Sequence, residues 1–356
     1  MKKRVKVGLA LGSGSARGFA HIGVIRVLEA EGIPLDCVAG TSIGAIVGGM
    51  YAAGVLGQCE EFLQDFDWKD MTLLLDPLFP LSGLLGGKRI EKLFTSFLQN
   101  RRIEDFELPF AAVAADVRTG EEMVLTQGNA VKALRASMSL PGIFTPVFLD
   151  ERLLVDGGIV SPVPVQAVKA LGADVVIGVN LAAEMSQRSY ISTTEKTVEK
   201  LRELEGTRPH AEPPDSIPST STDSASELPS FLRGPVEKGL SFFEERAQAL
   251  EQWVDEKVER GRAVIDERSS FLAAWLKEEK AKDLPDIFSV LFNSINIMQY
   301  QITQASLRHC PADVLLCPDL AQVRLLDFDK VEEAIQEGER IARASLAQIQ
   351  EAIANA

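Results

Sequence analysis

Residues 37–50 read CVAGTSIGAIVGGM, a short apolar run that passes through GTSIG into a stretch of small, helix-compatible residues. Two glycines flank Ser42 where a sharp strand-to-helix elbow brings neighbouring backbone close, so larger side chains would collide there. The predicted nucleophile elbow comprises Gly40, Thr41, Ser42, Ile43 and Gly44. Such an elbow exposes the serine hydroxyl, which makes Ser42 a candidate nucleophile, although a purely structural tight turn uses the same residue types.

The elements around the elbow predict an α/β fold. Upstream, VKVGLAL has the pattern of a buried strand, and FAHIGVIRVLEAEG spaces its apolar residues three and four apart, as in a helix that stops at Gly32. The order strand, helix, strand, helix favours a parallel sheet. Strand and helix patterns continue to about residue 181 and return after Asp283. We therefore predict a three-layer α/β/α fold with a mostly parallel central sheet, interrupted by an insertion.

Composition divides the chain into four segments. Residues 1–184 form the first part of the predicted catalytic core, and residues 284–356 form its C-terminal part. Between them, residues 185–235 are rich in Ser, Thr, Pro and Glu, the composition of a disordered linker. Residues 236–283 are charged but repeat apolar side chains every three or four positions, which predicts an amphipathic helical insertion.

The surface of the insertion leaves two kinds of partner open. Its polar side mixes acids and bases almost evenly, unlike the basic face of a helix that seeks anionic lipid. One expectation is therefore that residues 236–283 dock on the same domain, on a second copy of the chain or on another protein. The other is peripheral membrane contact through the aromatic side chains of Phe242, Phe243, Trp253, Phe271 and Trp275.

Charge and cysteine content argue against several functional classes. The net charge is −14 and the pI is near 4.9, which disfavours a nucleic-acid partner. The four cysteines form no CxxC pair and have no histidine at metal-ligand spacing, which predicts reduced thiols in the cytoplasm and no metal or other cofactor. The uncharged windows 37–59 and 287–307 are too rich in glycine or amide side chains to span a bilayer. Membrane contact, if any, is therefore expected to be peripheral, at the inner face.

A broken apolar stretch lies downstream of the elbow. Residues 71–87, MTLLLDPLFPLSGLLGG, contain two prolines and three glycines and fit no regular element. Two interpretations stay open for it. It is either a connection packed on the core or an apolar cap over a site for greasy substrates.

A glycine-rich loop, GSGSARG at 12–18, joins the first strand to the first helix. This position superficially matches a dinucleotide loop, but a Rossmann fingerprint needs glycine where Arg17 stands. The backbone N–H groups of such a turn can instead hold the oxyanion that forms when a serine attacks an ester. The candidate oxyanion-hole residues are Ser13, Gly14, Ser15, Ala16, Arg17 and Gly18.

A serine nucleophile needs a base to accept its proton, and two arrangements are considered. In LLVDGG, the carboxylate of Asp156 ends a strand and is a candidate base, although a turn aspartate that caps its own backbone reads the same way. This DGG motif consists of Asp156, Gly157 and Gly158. His309 completes the chain order of a Ser-His-Asp triad, but it precedes its strand and should lie at the opposite edge of the sheet. His21 reads as a helix-packing residue, so a Ser-Asp dyad is favoured.

In this order, GSGSARG, GTSIG and DGG resemble the motifs of the bacterial patatin-like phospholipase family, and GFAHIGVIRVLEAEG is similar to its short cytosolic members. The resemblance covers about residues 5–181 and 285–345. It implies a serine lipid acyl hydrolase with a Ser-Asp dyad. On this resemblance Ser42 is the nucleophile and Asp156 is the base.

The resemblance also assigns the glycine loop. The amides around Gly14 and Ser15 would form the oxyanion hole, and Arg17 occupies the arginine position of the family. Ser13 and Ser15 stand where the family has glycine, and these departures leave the N–H donors in place.

The function implied is hydrolysis of phospholipid acyl esters, of phospholipase A or lysophospholipase type, through an acyl-serine intermediate. Two alternatives remain open. The first is a carboxylesterase or thioesterase that acts on soluble acyl compounds. The second is a scaffold whose helical insertion binds a partner or a membrane.

Overall fold

The computed structural model of the chain describes residues 4–64, 85–182, 287–323 and 327–356. All of them belong to one of two compact units, the one that joins Met1–Tyr190 to Ile287–Ala356. The predicted linker and helical insertion, residues 185–283, lie outside the described residues, and so does most of the apolar stretch 71–87.

Strands and helices alternate along most of the described chain. The strands are β1 (Val7–Leu11), β2 (Cys37–Thr41), β3 (Phe110–Asp116), β4 (Glu122–Leu125), β5 (Val147–Leu149), β6 (Arg152–Asp156), β7 (Val175–Val179) and β8 (Val314–Leu316). The α-helices are α1 (Ala20–Ala30), α2 (Ile43–Ala52), α3 (Leu56–Gln64), α4 (Lys88–Leu98), α5 (Ala130–Ser137), α6 (Val165–Ala170), α7 (Ile287–His309) and α8 (Val331–Asn355). Short 3₁₀ turns occur at Ser15–Phe19, Ile103–Asp105 and Gly157–Ile159.

The strands form one mixed, mostly parallel sheet. Parallel pairs join β1 to β2 and to β7, β2 to β3, and β7 to β8. Antiparallel pairs join β3 to β4 and to β6, and β5 to β6. Strand β8 comes from the chain after the predicted insertion and extends the sheet beyond β7.

Helices cover both faces of the sheet. Because successive side chains of a strand point to opposite faces, Leu9 of β1 joins one core cluster and Ala10 joins the other. The larger cluster contains side chains from α1 to α5 and from α8, whereas the smaller contains side chains from α6 and is contacted by Leu307 of α7. This arrangement confirms the predicted three-layer α/β/α class with a mostly parallel central sheet.

The C-terminal helix is in close backbone contact with the helix that follows the glycine loop. A Cβ atom on Gly23 of α1 would lie 2.0 Å from the carbonyl oxygen of Ile335, and one on Gly338 of α8 would lie 2.0 Å from that of Ala20. Only glycine permits such an approach of two helix backbones. Helix α8 is therefore packed closely against α1, the helix that follows the glycine loop.

The sheet brings the ends of β2 and β6 together. Ala112 and Val113 of β3 pair with both β2 and β4, and Ala114 and Ala115 pair with both β4 and β6. A strand has only two edges, so β2 and β6 must share the edge of β3 that β4 leaves open. They meet end to end, because Thr41 pairs with Val113 and Asp156 pairs with Ala114. This register places Ser42 beside Asp156.

Helix α7 contains the second uncharged window of the sequence. It buries the polar side chains of Gln299 and Thr303 and exposes the apolar side chains of Val290 and Met298. Among the described helices, α7 included, none combines the length and the apolar character that crossing a membrane requires.

Candidate active site

Ser42 has a left-handed backbone conformation at the tight turn between β2 and α2. Its φ is 57° and its ψ is −121°, an uncommon conformation for a residue with a side chain. A Cβ on Gly44 would lie 2.1 Å from the carbonyl oxygen of Leu11, and one on Gly40 would lie 2.2 Å from that of Gly44. These close approaches are the physical reason for the two glycines that flank the serine.

The hydroxyl of Ser42 donates to Asp156. The distance from Ser42 Oγ to Asp156 Oδ2 is 2.5 Å. The other carboxylate oxygen, Oδ1, accepts from Gly158 N at 2.7 Å, and the N–H of Asp156 donates to Ser139 O at 2.9 Å. A Cβ on Gly157 would lie 2.3 Å from Val113 O, so this glycine lets the turn pack against β3. The candidate base, Asp156, is thus held at its backbone and at both carboxylate oxygens.

Burial sets the acidity of Asp156. The side chain is almost fully buried, which disfavours its charged form and raises its pKa to about 6, against the opposing effect of the hydrogen bonds from Ser42 and Gly158. At neutral pH most of the carboxylate is therefore ionised and can accept a proton. A pKa close to the working pH suits a general base.

The glycine loop presents free backbone donors beside the elbow. Gly12 N donates to Val179 O at 3.0 Å and Ser13 N donates to Pro162 O at 2.8 Å, so these two N–H groups are already committed. Within the described residues, the N–H groups of Gly14, Ser15 and Ala16 donate no hydrogen bond to the protein. Ser13 was grouped with the oxyanion loop in the sequence, but its own amide is occupied.

Contacts on both sides hold the loop against the elbow. A Cβ on Gly18 would lie 2.1 Å from the side chain of Ile43, so the 3₁₀ turn packs directly on the residue after Ser42. Ser15 has a φ of 52°, a conformation that glycine adopts more easily. Ala16 is buried beneath the turn.

Two residues of the first helical segment fix the loop to its surroundings. His21 is buried, and its Nε2–H donates to Gly12 O at 2.8 Å. Burial lowers the pKa of His21 to about 4, so its ring is neutral at physiological pH. Arg17 Nε donates to Val323 O at 2.7 Å, and burial lowers the pKa of Arg17. His21 was predicted to pack its helix, and it also holds the carbonyl at the start of the loop.

Ser137 is a part of the site that sequence reasoning missed. Its side chain is fully buried, and its Oγ accepts from Ser42 N at 2.9 Å and donates to Val113 O at 2.6 Å. The N–H of the strained elbow is thereby satisfied. The available signal was a serine at the very end of a helix that precedes the predicted base, but serine is common at helix ends.

The alternative triad lacks its histidine. His309 is the last residue of α7 and is exposed, and no described contact joins it to Ser42 or Asp156. In the part of the chain that the structure describes, no group of three or more His, Cys, Asp or Glu side chains is arranged to hold a metal ion.

Comparison with known proteins gives the class of this site. The family model described as patatin-like phospholipase matches residues 9–169. An uncharacterized NTE family protein of Mycobacterium tuberculosis is 31% identical over 348 residues, which cover 96% of this chain and 91% of that protein. Lysophospholipase NTE1 of Mycosarcoma maydis is 35% identical over 198 residues, 53% of this chain and 10% of the fungal protein.

The family model and the lysophospholipase relatives indicate an enzyme that hydrolyses esters. The chain belongs to the patatin-like phospholipase family, as the sequence motifs predicted. Patatin-like phospholipase domain-containing protein 7 of Mus musculus is 32% identical over 184 residues, which cover 50% of this chain but only 14% of the mouse protein. The similarity to these much longer relatives therefore concerns one part of each of them.

Proposed function

We propose that the protein hydrolyses acyl esters of phospholipids or lysophospholipids, with Ser42 as nucleophile and Asp156 as general base. One observation carries the assignment of roles: Ser42 Oγ lies 2.5 Å from Asp156 Oδ2, and burial tunes that carboxylate to a pKa of about 6. The substrate class follows from the family and from relatives whose names specify lysophospholipase.

The proposed reaction has two stages. In the first, Asp156 Oδ2 takes the hydroxyl proton of Ser42 as Oγ attacks the ester carbonyl, and the backbone N–H groups of Gly14 and Ser15 stabilise the oxyanion. The bond to the leaving alcohol then breaks, and that alcohol takes the proton from Asp156. In the second, Asp156 deprotonates a water molecule that attacks the acyl-serine, which releases the fatty acid and restores the Ser42 hydroxyl.

The same proposal includes a peripheral encounter with lipid at the cytoplasmic face of a membrane. Its support is the substrate class together with the aromatic side chains of residues 236–283, which lie outside the described structure. Docking of that segment on a second copy or on another protein is the competing proposal. Co-sedimentation of the protein with phosphatidylcholine vesicles, in parallel with the size of the free protein in solution, separates the two.

The test compares Ser42→Ala with His309→Ala on three substrates: lysophosphatidylcholine, a soluble medium-chain nitrophenyl ester and an acyl thioester. We expect Ser42→Ala to lose hydrolysis and fluorophosphonate labelling, while His309→Ala keeps both, because the exposed histidine does not contact the dyad. Loss of activity in His309→Ala would favour the triad. A wild-type preference for the thioester would favour a thioesterase, and a wild type without activity on all three would favour a scaffold.

A further inference from the structure

The glycine loop has a side-chain contact that neither the family motifs nor the proposed dyad accounts for. Ser13 Oγ donates to Gln299 Oε1 at 3.3 Å, across 286 positions of the sequence. Both side chains are buried, with exposed fractions of 4% for Ser13 and 7% for Gln299. The contact therefore joins the glycine loop to a helix that follows the predicted insertion.

Ser13 connects the loop to its surroundings in two directions. Its backbone N–H donates to Pro162 O, and the preceding residue, Gly12, donates to Val179 O. These bonds attach the start of the loop to the residues around β7 and α6. The hydroxyl of Ser13 is the group that reaches α7, so it determines how the loop sits relative to that helix.

The nitrogen of the same Gln299 amide lies at the Asp156–Gly158 turn. A Cβ on Gly158 would lie 2.4 Å from Gln299 Nε2 and 3.0 Å from Asp156 Oδ1. Two atoms at these distances from one point are at most 5.4 Å apart, so the amide of Gln299 lies close to the carboxylate of Asp156. The absence of a side chain at residue 158 makes room for it.

Gln299 lies in a buried part of helix α7. Its backbone carbonyl accepts from Thr303 Oγ1 at 2.7 Å, and Thr303 is buried. Within the described residues, Gln299 Nε2 donates no hydrogen bond to the protein. A buried amide with one end on the glycine loop and the other beside the base has the geometry of a spacer between them.

We infer that Gln299 is a positioning residue, which sets the separation between the glycine loop and the Asp156–Gly158 turn through its contact with Ser13. This inference rests on the proposed function, because it assigns the loop the role of an oxyanion hole. Positioning matters because oxyanion donors act only when they meet the developing charge at hydrogen-bond distance. Loss of the spacer should therefore reduce the rate of acylation more than substrate binding.

The experiment is a double-mutant cycle with Ser13→Ala, Gln299→Met and the two combined, assayed on a soluble nitrophenyl ester. Methionine keeps the length of glutamine but lacks the amide oxygen that accepts from Ser13. We expect kcat to fall about tenfold in each single variant, with KM changed less than about twofold, since displaced donors lose part of the two to three decades that an oxyanion hole supplies. The double variant should be no slower than the singles, because the three proteins lack the same contact.

A matched control uses the same helix. Gln301→Met places the same substitution on an exposed position of α7 and should leave kcat unchanged. Thermal melting of all variants separates packing from positioning: a lower Tm with unchanged kcat would assign Gln299 a merely structural role and overturn the inference. If Gln299→Met fails to fold, Ser13→Ala alone decides, because it removes one hydroxyl and leaves the helix intact.

Two other outcomes would also overturn the inference. Additive losses in kcat would mean that Ser13 and Gln299 act separately, and a rise in KM with unchanged kcat would mean that Gln299 contacts the substrate. Failure of the proposed function looks different, since Ser42→Ala would then retain hydrolysis. A dead Ser42→Ala combined with a fully active Gln299→Met would refute only the positioning role.

Discussion

The two halves of the candidate site are held together in different ways. In the Ser42–Asp156 half, Ser137 and Ser139 form hydrogen bonds with the backbone of Ser42 and Asp156, and Gly157 packs against Val113. All of these residues lie within the segment matched by the family model, residues 9–169. The glycine-loop half has contacts within that segment too, to Pro162 and His21, but it also has three partners beyond it, namely Val179, Gln299 and Val323.

In the proposed mechanism the two halves have different tasks. The Ser42–Asp156 half cleaves the ester bond, and the glycine-loop half stabilises the negative charge that forms during cleavage. The proposed nucleophile, Ser42, meets the proposed base, Asp156, because the register of β3 brings the ends of β2 and β6 together. The loop that contains Gly14 and Ser15 is supported in part by the chain that returns after residue 286, through Gln299 and Val323. We therefore expect changes around the dyad to have the largest effects on rate, and changes at the remote supports to have smaller ones.

The largest effect is expected for Asp156→Asn. The amide cannot take the proton of Ser42, so kcat should fall by about 10²- to 10⁴-fold, the range of general base catalysis. In the wild type, the base is active only when ionised, so kcat should fall as pH falls through about 6. Stopped assays of a soluble ester between pH 5 and 8 would measure both effects. A flat profile across pH 6 would contradict the assignment of Asp156.

The same substitution should stabilise the fold, which distinguishes a functional carboxylate from a structural one. Because burial raises the pKa of Asp156 to about 6 in the folded state, its carboxyl favours folding below the unfolded pKa, and this contribution is lost as pH rises through 6. Removing the buried charge should therefore raise the free energy of unfolding at pH 8 by on the order of 2 kcal/mol. At pH 4 the two proteins should unfold at similar urea concentrations.

A smaller effect is expected for Ser137→Ala, which acts within the dyad half but through the backbone. The substitution leaves Ser42 N–H and Val113 C=O buried without their partner, which should cost about 1–3 kcal/mol of stability. We expect a loss of about tenfold in kcat, because the elbow still holds the hydroxyl near Asp156. Ser96→Ala, on the exposed surface of α4, is the matched control. Equal kcat in both variants would show that the elbow needs no support from Ser137.

The sequence predicted more of the Ser42–Asp156 half of the site than of the contacts that support the glycine-loop half. Gly40 and Gly44 signalled the elbow because their close approaches involve neighbouring backbone, and Asp156 was identified by the strand that it ends and the glycines after it. Nothing in a single sequence pairs Ser13 with Gln299, since that contact depends on how α7 crosses the finished sheet. Ser137 was missed because its partner is a backbone N–H, which leaves no complementary residue type to find.

The smallest effect is expected for Arg17→Met, at the remote support of the glycine loop. Arg17 Nε donates to Val323 O at 2.7 Å, and its loss should reduce stability by about 1–2 kcal/mol, since this is a charged donor in a partly buried position. Because Gly12, Ser13 and His21 still anchor the loop, we expect kcat to fall only about threefold. Arg343→Met, at an exposed ion pair on α8, controls for the loss of one positive charge. If kcat fell as much in Arg17→Met as in Asp156→Asn, the contrast between the two halves would be wrong. The contact of the glycine loop with Val323 would then matter as much for the reaction as the proposed base.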